Sequence, residues 1–325
     1  MLRVVLIGCG EHSENGHAVP LARYQAEHPA DLELTAACDL KLERAQWFCK
    51  QYGFIRSYTH LEAMLASEKF DGCIAVVPVE QIAQLGIRLL ELGIPCVVEK
   101  PLGASLKQVT ALLHAARTSL IPNMVSVNRR FMPALNRAIE WTKSAGHLRY
   151  VRCIMTRHAR TEPEFLWTTA VHAVDTLRHI CGEVAEASIR NLNSLSHSAH
   201  WYAIDFRFQS GVDGRIDILP TAGVLEETYE LIGDGFRAVV TCPFGLRRGW
   251  RGFSGGRLAL EEWAENVPED VLNGCFDETT AFLTALAAKR SPAPSIEDVF
   301  PSVKLCFELA DPAMQNSDRF LSAKS

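Results

Sequence analysis

Two stretches carry side chains that could do chemistry. The first is Lys100, which closes the apolar run Pro95-Cys96-Val97-Val98-Glu99 and precedes Pro101. A lysine where a buried strand surfaces can hydrogen-bond a hydroxyl or carbonyl and stabilise negative charge developing on that oxygen. Pro101 biases Lys100 towards extended backbone. Taken alone, Lys100 reads equally as a surface lysine at a strand end. The second stretch is Thr169-Ala-Val-His-Ala-Val-Asp-Thr-Leu-Arg-His-Ile. Steps of three and four place His172, Asp175 and His179 on one helical face, with Val171, Val174, Leu177 and Cys181 on another. Asp175 stands one turn before His179, so its carboxylate can orient the imidazole and stabilise its protonated form. A general acid/base acting on a hydroxyl proton needs that pair. The same residues also read as a solvated polar face, or as a metal site. His158 and Trp167 are candidates for a pocket wall, and His12 and His17 for contact with a phosphate.

These side chains need a frame, and the chain starts with one. Val4-Val5-Leu6-Ile7 is a β-branched, apolar run that stops on Gly8-Cys9-Gly10, as a buried parallel strand does when it feeds a phosphate-binding turn. Gly8 permits the tight turn, and Gly10 has no Cβ to keep a pyrophosphate off the backbone. The following helix would aim its N-terminal N–H groups at that pyrophosphate. A second apolar run, Leu32 to Cys38, ends on Asp39, which can accept hydrogen bonds from the adenosine ribose. The strict motif wants a third glycine where this chain has Ser13. Gly16 follows, so the turn is read as enlarged over Glu11–Asn15, with the first helix at 17–28. The alternative is a glycine turn in some other α/β protein. Asp39 favours NAD, because its charge would meet a 2′-phosphate; Lys41 and Arg44 nearby keep NADP open.

Strand and helix then alternate. Helical stripes at Leu42–Cys49, Ile82–Leu92 and Leu106–Leu113 separate apolar strands ending at Tyr58, Val77 (followed by Pro78), Glu99 and Val127. That rhythm predicts a doubly wound parallel sheet, with ligands bound beyond the carboxyl ends of its strands. From about residue 147 strands dominate: 148–158, 186–193, 200–208, 213–219, 227–233, 237–242 and 257–263. A helical stretch at 167–181 interrupts them, and helices at 275–289 and 296–310 close the chain before a loose tail at 318–325. This predicts a second, α+β domain with a mainly antiparallel sheet. The expected domains are 1–122 and 123–325.

Composition agrees with a folded two-domain protein. The chain has 325 residues, 48% hydrophobic and 22% charged, with a net charge of −5 and no basic stripe. That argues against disorder and against a nucleic-acid partner. The apolar start is too short for a signal peptide or a membrane span. Ten cysteines are scattered singly with no C-x-x-C pair, as small core residues of a reducing compartment are. The cytoplasm is the expected location.

Together these residues resemble the Gfo/Idh/MocA family, the glucose–fructose oxidoreductase and inositol dehydrogenase group. The resemblance rests on Val4–Gly10, Asp39, Val97-Val98-Glu99-Lys100-Pro101-Leu102, Asn128-Arg129-Arg130-Phe131 with Pro133, and His172-x-x-Asp175-x-x-x-His179. It implies a Rossmann-type domain, then an α+β domain whose open-faced sheet mediates oligomerisation, with an active site between them. Under it, Gly8, Cys9, Gly10, Glu11, His12, Asp39, Pro78, Glu99 and Lys100 would bind the cofactor. Lys100, Asn128, His158, Trp167 and His172 would contact substrate. Lys100 would polarise the reacting hydroxyl, and His179, partnered by Asp175, would be the acid/base. The chain departs from the family in its glycine turn, in Gln81-Ile82 where a histidine often follows strand four, and in Leu166–Ala170 where a glycine-rich run is common.

The expected activity is NAD(P)-dependent interconversion of a secondary alcohol and a ketone on a sugar, sugar derivative or cyclitol. The expected assembly is a homodimer or homotetramer, with no membrane partner. The alternatives are NAD-assisted glycoside cleavage or elimination, a non-catalytic nucleotide sensor, and metal-dependent chemistry at His172/Asp175/His179.

Overall fold

The computed structural model describes residues 1–192, 200–315 and 321–322. The chain divides into two compact units, Met1–Asn128 with Gly274–Pro301, and Arg129–Asn273 with Ser302–Ser325. A single cut after residue 122 was expected. The helices at Cys275–Ala287 and Ile296–Ala310 do close the chain, but residues 274–301 return to the first unit.

The first unit is a six-stranded sheet of β1 (Leu2–Ile7), β2 (Leu32–Cys38), β3 (Arg56–Tyr58), β4 (Gly72–Ala75), β5 (Cys96–Glu99) and β6 (Asn123–Ser126). Its order is β3-β2-β1-β4-β5-β6 and every pair is parallel. This is the doubly wound sheet expected, its order reversing beside β1. Val4, Val5 and Leu6, like Val98 and Val125, are fully buried, because helices cover both faces of such a sheet. The returning segment completes this core. The Val125 N–H donates to the Pro294 carbonyl, and the Ile296 N–H donates to Asn123 Oδ1. Phe282 and Leu286 lie so close to Gly72 that a Cβ there would come within 2.7 Å of Leu286 Cδ1.

In the second unit β7 (Leu148–Thr156), β8 (Val184–Leu192), β9 (Trp201–Phe208), β10 (Asp213–Leu219), β11 (Glu226–Gly233), β12 (Phe236–Thr241), β13 (Gly249–Ser254), β14 (Arg257–Trp263) and β15 (Leu321–Ser322) form one nine-stranded sheet. Its order is β14-β13-β12-β11-β7-β10-β9-β8-β15, antiparallel except for β7 with β10. Register puts Ile204, Ile216, Cys153, Tyr229, Val240 and Trp250 in one row across six strands, and all six are buried. One residue along, the row on the other face reads Asp205, Arg215, Arg152 and Glu230. Arg152 and Arg215 both bond Asp217, and Arg215 also reaches Asp205 at 3.3 Å. The alternation of buried and polar rows is the period-2 pattern of a one-sided sheet.

Three local expectations change. Strand β13 and the helix Pro133–Ala145 were not foreseen; Gly249 at the start of β13 and Gly252 in its middle, with Gly255 and Gly256 just past its end, hide its pattern. The stretch 167–181 is two helices, Phe165–Thr168 and Val171–Cys181. Of the expected tail, Leu321–Ser322 pair with Ala187 and Glu186 of β8, and the rest lies outside the described residues.

Candidate functional site

The turn after β1 is tighter than the sequence suggested. Gly8 has φ +88°, and a Cβ there would sit 1.8 Å from the Val76 carbonyl oxygen, so no other residue fits. Helix begins directly after Gly10, at Glu11, and runs to Glu27. The extra length lies inside it, as a π-helical turn over Glu14–Ala18. A π turn absorbs one additional residue and rotates all that follow. The loop over Glu11–Asn15 is therefore not enlarged.

A cavity of about 1100 Å³ opens at this end of the sheet. Gly8, Gly10, Glu11, His12, Asp39, Pro78, Glu99 and Lys100 all line it, together with Ser13, Leu40, Lys41, Arg44 and Arg88. Cys9 does not line it. The Cys9 N–H donates to Asp39 Oδ2 at 2.8 Å, and burial, then the charge of Asp39, pushes its thiol pKa up. Asp39 Oδ1 accepts from the Lys41 N–H at 2.8 Å, so the acid both shapes the turn and faces the cavity.

The cavity suits a dinucleotide. A Cβ on Gly10 would meet nothing within 4 Å, so the absence of a side chain there serves whatever enters the space rather than the protein's own packing. No side chain caps the helix start at Gly10, which leaves first-turn N–H groups for an anion. Ser13 Oγ is buried without a hydrogen-bond partner among the described residues, and Ser13 stands where the strict motif has its third glycine.

Glu99 organises the Lys100 end. Its Oε1 accepts from His17 Nε2 at 2.8 Å and meets His12 Nε2 at 3.1 Å, while Oε2 accepts from the Lys100 N–H at 3.0 Å. Burial pushes this carboxyl up, but His12 and His17 more than offset it and hold it well below the usual range. His17 is 2% exposed; the π turn sets the angle at which its ring meets Glu99. His12 is exposed in the cavity.

In the second unit Asp175 does not hydrogen-bond His179. Arg130 grips it through two bonds of 2.7 Å, and Ser302 Oγ donates to Oδ1 at 2.8 Å. His179 is exposed, yet partial burial of its ring, followed by the Arg130 charge, lowers its pKa below 6.5, with Asp175 opposing. His172 is buried, its Nε2 3.5 Å from Arg129 Nη1. Arg129 and Arg157 both bond Glu227, which is fully buried and also accepts from Tyr229 Oη. Burial raises the Glu227 carboxyl, and the two guanidinium groups bring it below its ordinary value. Nothing in the sequence marks that network, because Arg157 and Glu227 are 70 residues apart; Arg129 and Arg130 were visible only as part of the Asn128–Phe131 motif. Asn128 is buried in the short 3-10 turn that follows β6. Trp167 stacks on Phe307 at 5.0 Å, and His158 is exposed beyond β7. Among the described residues no group of three His, Cys, Asp or Glu side chains is arranged to hold a metal ion.

A doubly wound parallel sheet with a glycine turn, a terminal acid on β2 and an open cavity between them defines an NAD-binding Rossmann domain. Residues 2–128 match the Gfo/Idh/MocA model, described as an oxidoreductase family with an NAD-binding Rossmann fold. D-apiose dehydrogenase of Paraburkholderia graminis is 26% identical over 231 residues, 65% of this chain and 59% of that protein. The chain spans about three fifths of the length of the curated relatives it matches first. Among solved structures, an Agrobacterium radiobacter oxidoreductase in complex with NAD+, L-tartaric acid and magnesium superposes with a TM-score of 0.80 at 19% identity, covering 99% of this chain and 98% of that one. A myo-inositol dehydrogenase from Corynebacterium glutamicum gives 0.79 at 19% identity, covering 100% and 99%. The fold is thus shared along the whole chain.

Proposed function

We propose that the protein is an NAD(P)-dependent oxidoreductase that interconverts a secondary alcohol and a ketone on a sugar, sugar derivative or cyclitol. One observation carries this reading: a single cavity is lined by Asp39, the Gly10 helix start and Lys100. The similarity to an apiose dehydrogenase supports the substrate class. When bound, the nicotinamide supplies the hydride acceptor or donor. Lys100 holds the reacting oxygen and stabilises its charge. His179 takes the hydroxyl proton; its lowered pKa keeps it neutral, and so able to accept, at neutral pH. Asp175 acts on His179 through charge, its hydrogen bonds being committed to Arg130 and Ser302.

That commitment favours a second assignment within the same helix, in which buried His172 takes the proton and His179 does not. Substituting each histidine by Asn separates the two, since only the acid/base should cost about 10²-fold or more in kcat. Asn128, His158 and Trp167 are the further substrate contacts. Self-association into a dimer or tetramer, which the family resemblance implies, is part of the proposal. Among the described residues no helix is long and apolar enough to cross a membrane, and a cytoplasmic site of action is proposed.

The testing experiment is a thermal-shift titration with NAD(H) and NADP(H), on wild type and Asp39→Ala. Strong stabilisation by NAD(H), weakened in the variant, is expected; no response to either nucleotide would overturn the reading. Product formed without accumulating NADH would instead indicate redox-assisted cleavage or elimination.

A further inference from the structure

His12 is the second residue of the helix that starts after Gly10, so it stands in the turn whose N–H groups would hold a diphosphate. Its Nε2 meets Glu99 Oε1 at 3.1 Å, and that same oxygen already accepts from buried His17 Nε2 at 2.8 Å. The two rings stand edge to face, with centroids 6.5 Å apart. Glu99 is buried, whereas the His12 side chain is 63% exposed and lines the cavity. One carboxylate oxygen thus serves two imidazoles, and a proton on His12 is only partly compensated from the protein side. Elsewhere in the cavity charge cancels. Glu11, Asp39, Glu62 and Glu99 are matched by Lys41, Arg44, Arg88 and Lys100, with Glu62 and Arg88 3.5 Å apart. Cys38, pushed up to about 11 by burial and then by Asp39, is a neutral thiol. In the adjoining π turn, Glu14 accepts from the Tyr52 hydroxyl. Fully buried Ser13 lines the same space with no hydrogen-bond partner for its hydroxyl among the described residues.

We propose that binding of the dinucleotide is coupled to protonation of His12, whose imidazolium then serves both Glu99 and the negative charge held at the helix start. A diphosphate adds anionic charge to a turn where one carboxylate oxygen already lies 3.1 Å from the ring, and an added anion favours the charged imidazole. The proton is drawn from solvent, and no bond other than N–H forms. Imidazole is the one side-chain type in this cavity whose ordinary titration range lies near neutral pH. Bound His12 holds its proton to higher pH than free His12. Affinity is therefore greatest below the titration range of the free side chain and falls as pH rises through that of the bound one. This coupling rests on the cofactor reading of the cavity and involves no residue of the second unit.

Calorimetric titration of the full-length chain with NADH, in two buffers of different ionisation enthalpy and across a pH series, tests it. Wild type is expected to take up a fraction of a proton per NADH near neutral pH, and to lose up to about tenfold in affinity per pH unit above that. ADP-ribose, which keeps the diphosphate and lacks the nicotinamide, should show the same coupling. His12→Gln should bind NADH several-fold more weakly at about pH 6, with no proton uptake, and approach wild type at alkaline pH. Equal binding enthalpies for wild type in both buffers overturn the proposal, whether or not the variant folds. So does a pH slope that survives in His12→Gln, which would assign the proton to another group, or a coupling confined to NADH, which would move it to the nicotinamide end. Failure of NADH to bind at any pH overturns the cofactor reading as well, so the two failures are told apart.

Discussion

Lys100 and the histidines show what single residues can and cannot reveal. Lys100 was legible because it ends an apolar run at a proline, and the cavity reaches it. Lys100→Ala should lower kcat by about 10²–10³-fold while leaving the cofactor-induced thermal shift close to wild type. The partnership of Asp175 with His179 followed from helical spacing, but spacing cannot show that Arg130 and Ser302 already take the carboxylate. If His179 is the base, oxidation should be flat through neutral pH and fall only as pH drops below 6.5, the lowered pKa setting the inflection. Asp175→Asn removes the one charge that raises this pKa, so the inflection should move further down. A pH–rate profile of both proteins checks this.

The helix after Gly10 shows the limit of motif reading at the next scale up. The strand, the turn and the terminal acid were all legible, since each is written in β-branched residues, glycine and charge. Extra length between Gly10 and Gly16 was also legible, read as a few residues of loop over Glu11–Asn15, but not where it would be stored. A loop and a π turn accommodate the same insertion, and backbone hydrogen bonding decides between them. Deleting Asn15, which is exposed within the π turn, should leave an ordinary α-helix and rotate His17 by about 100° away from Glu99. The expected result is a folded protein with weaker NAD(H) binding, read by the same thermal shift; unchanged binding would mean that the His17–Glu99 contact does not shape the cavity.

Across the whole molecule, sheet class was readable from the change of rhythm near residue 147, whereas strand order and the chain's path between the two units were not. The buried arginine network of the second unit gives a measurable acid response. Glu227 has a lowered pKa in the folded state, so its contribution to stability is complete above about 4.5, its unfolded value, and is lost as pH falls below it. Glu227→Gln, which leaves Arg129 and Arg157 buried without their carboxylate, should cost about 3–5 kcal/mol in denaturant unfolding at pH 7 and flatten the acid limb. The return of residues 274–301 to the first unit has its consequence in time. On the ribosome the six parallel strands emerge first, but the residues that close β6 and pack on Gly72 are made about 150 residues later, after nearly the whole second unit; at ~5–20 residues per second that is a wait of roughly ten seconds or more. The nucleotide-binding half is thus the first to be started, yet it is completed only when nearly all of the other half has been made.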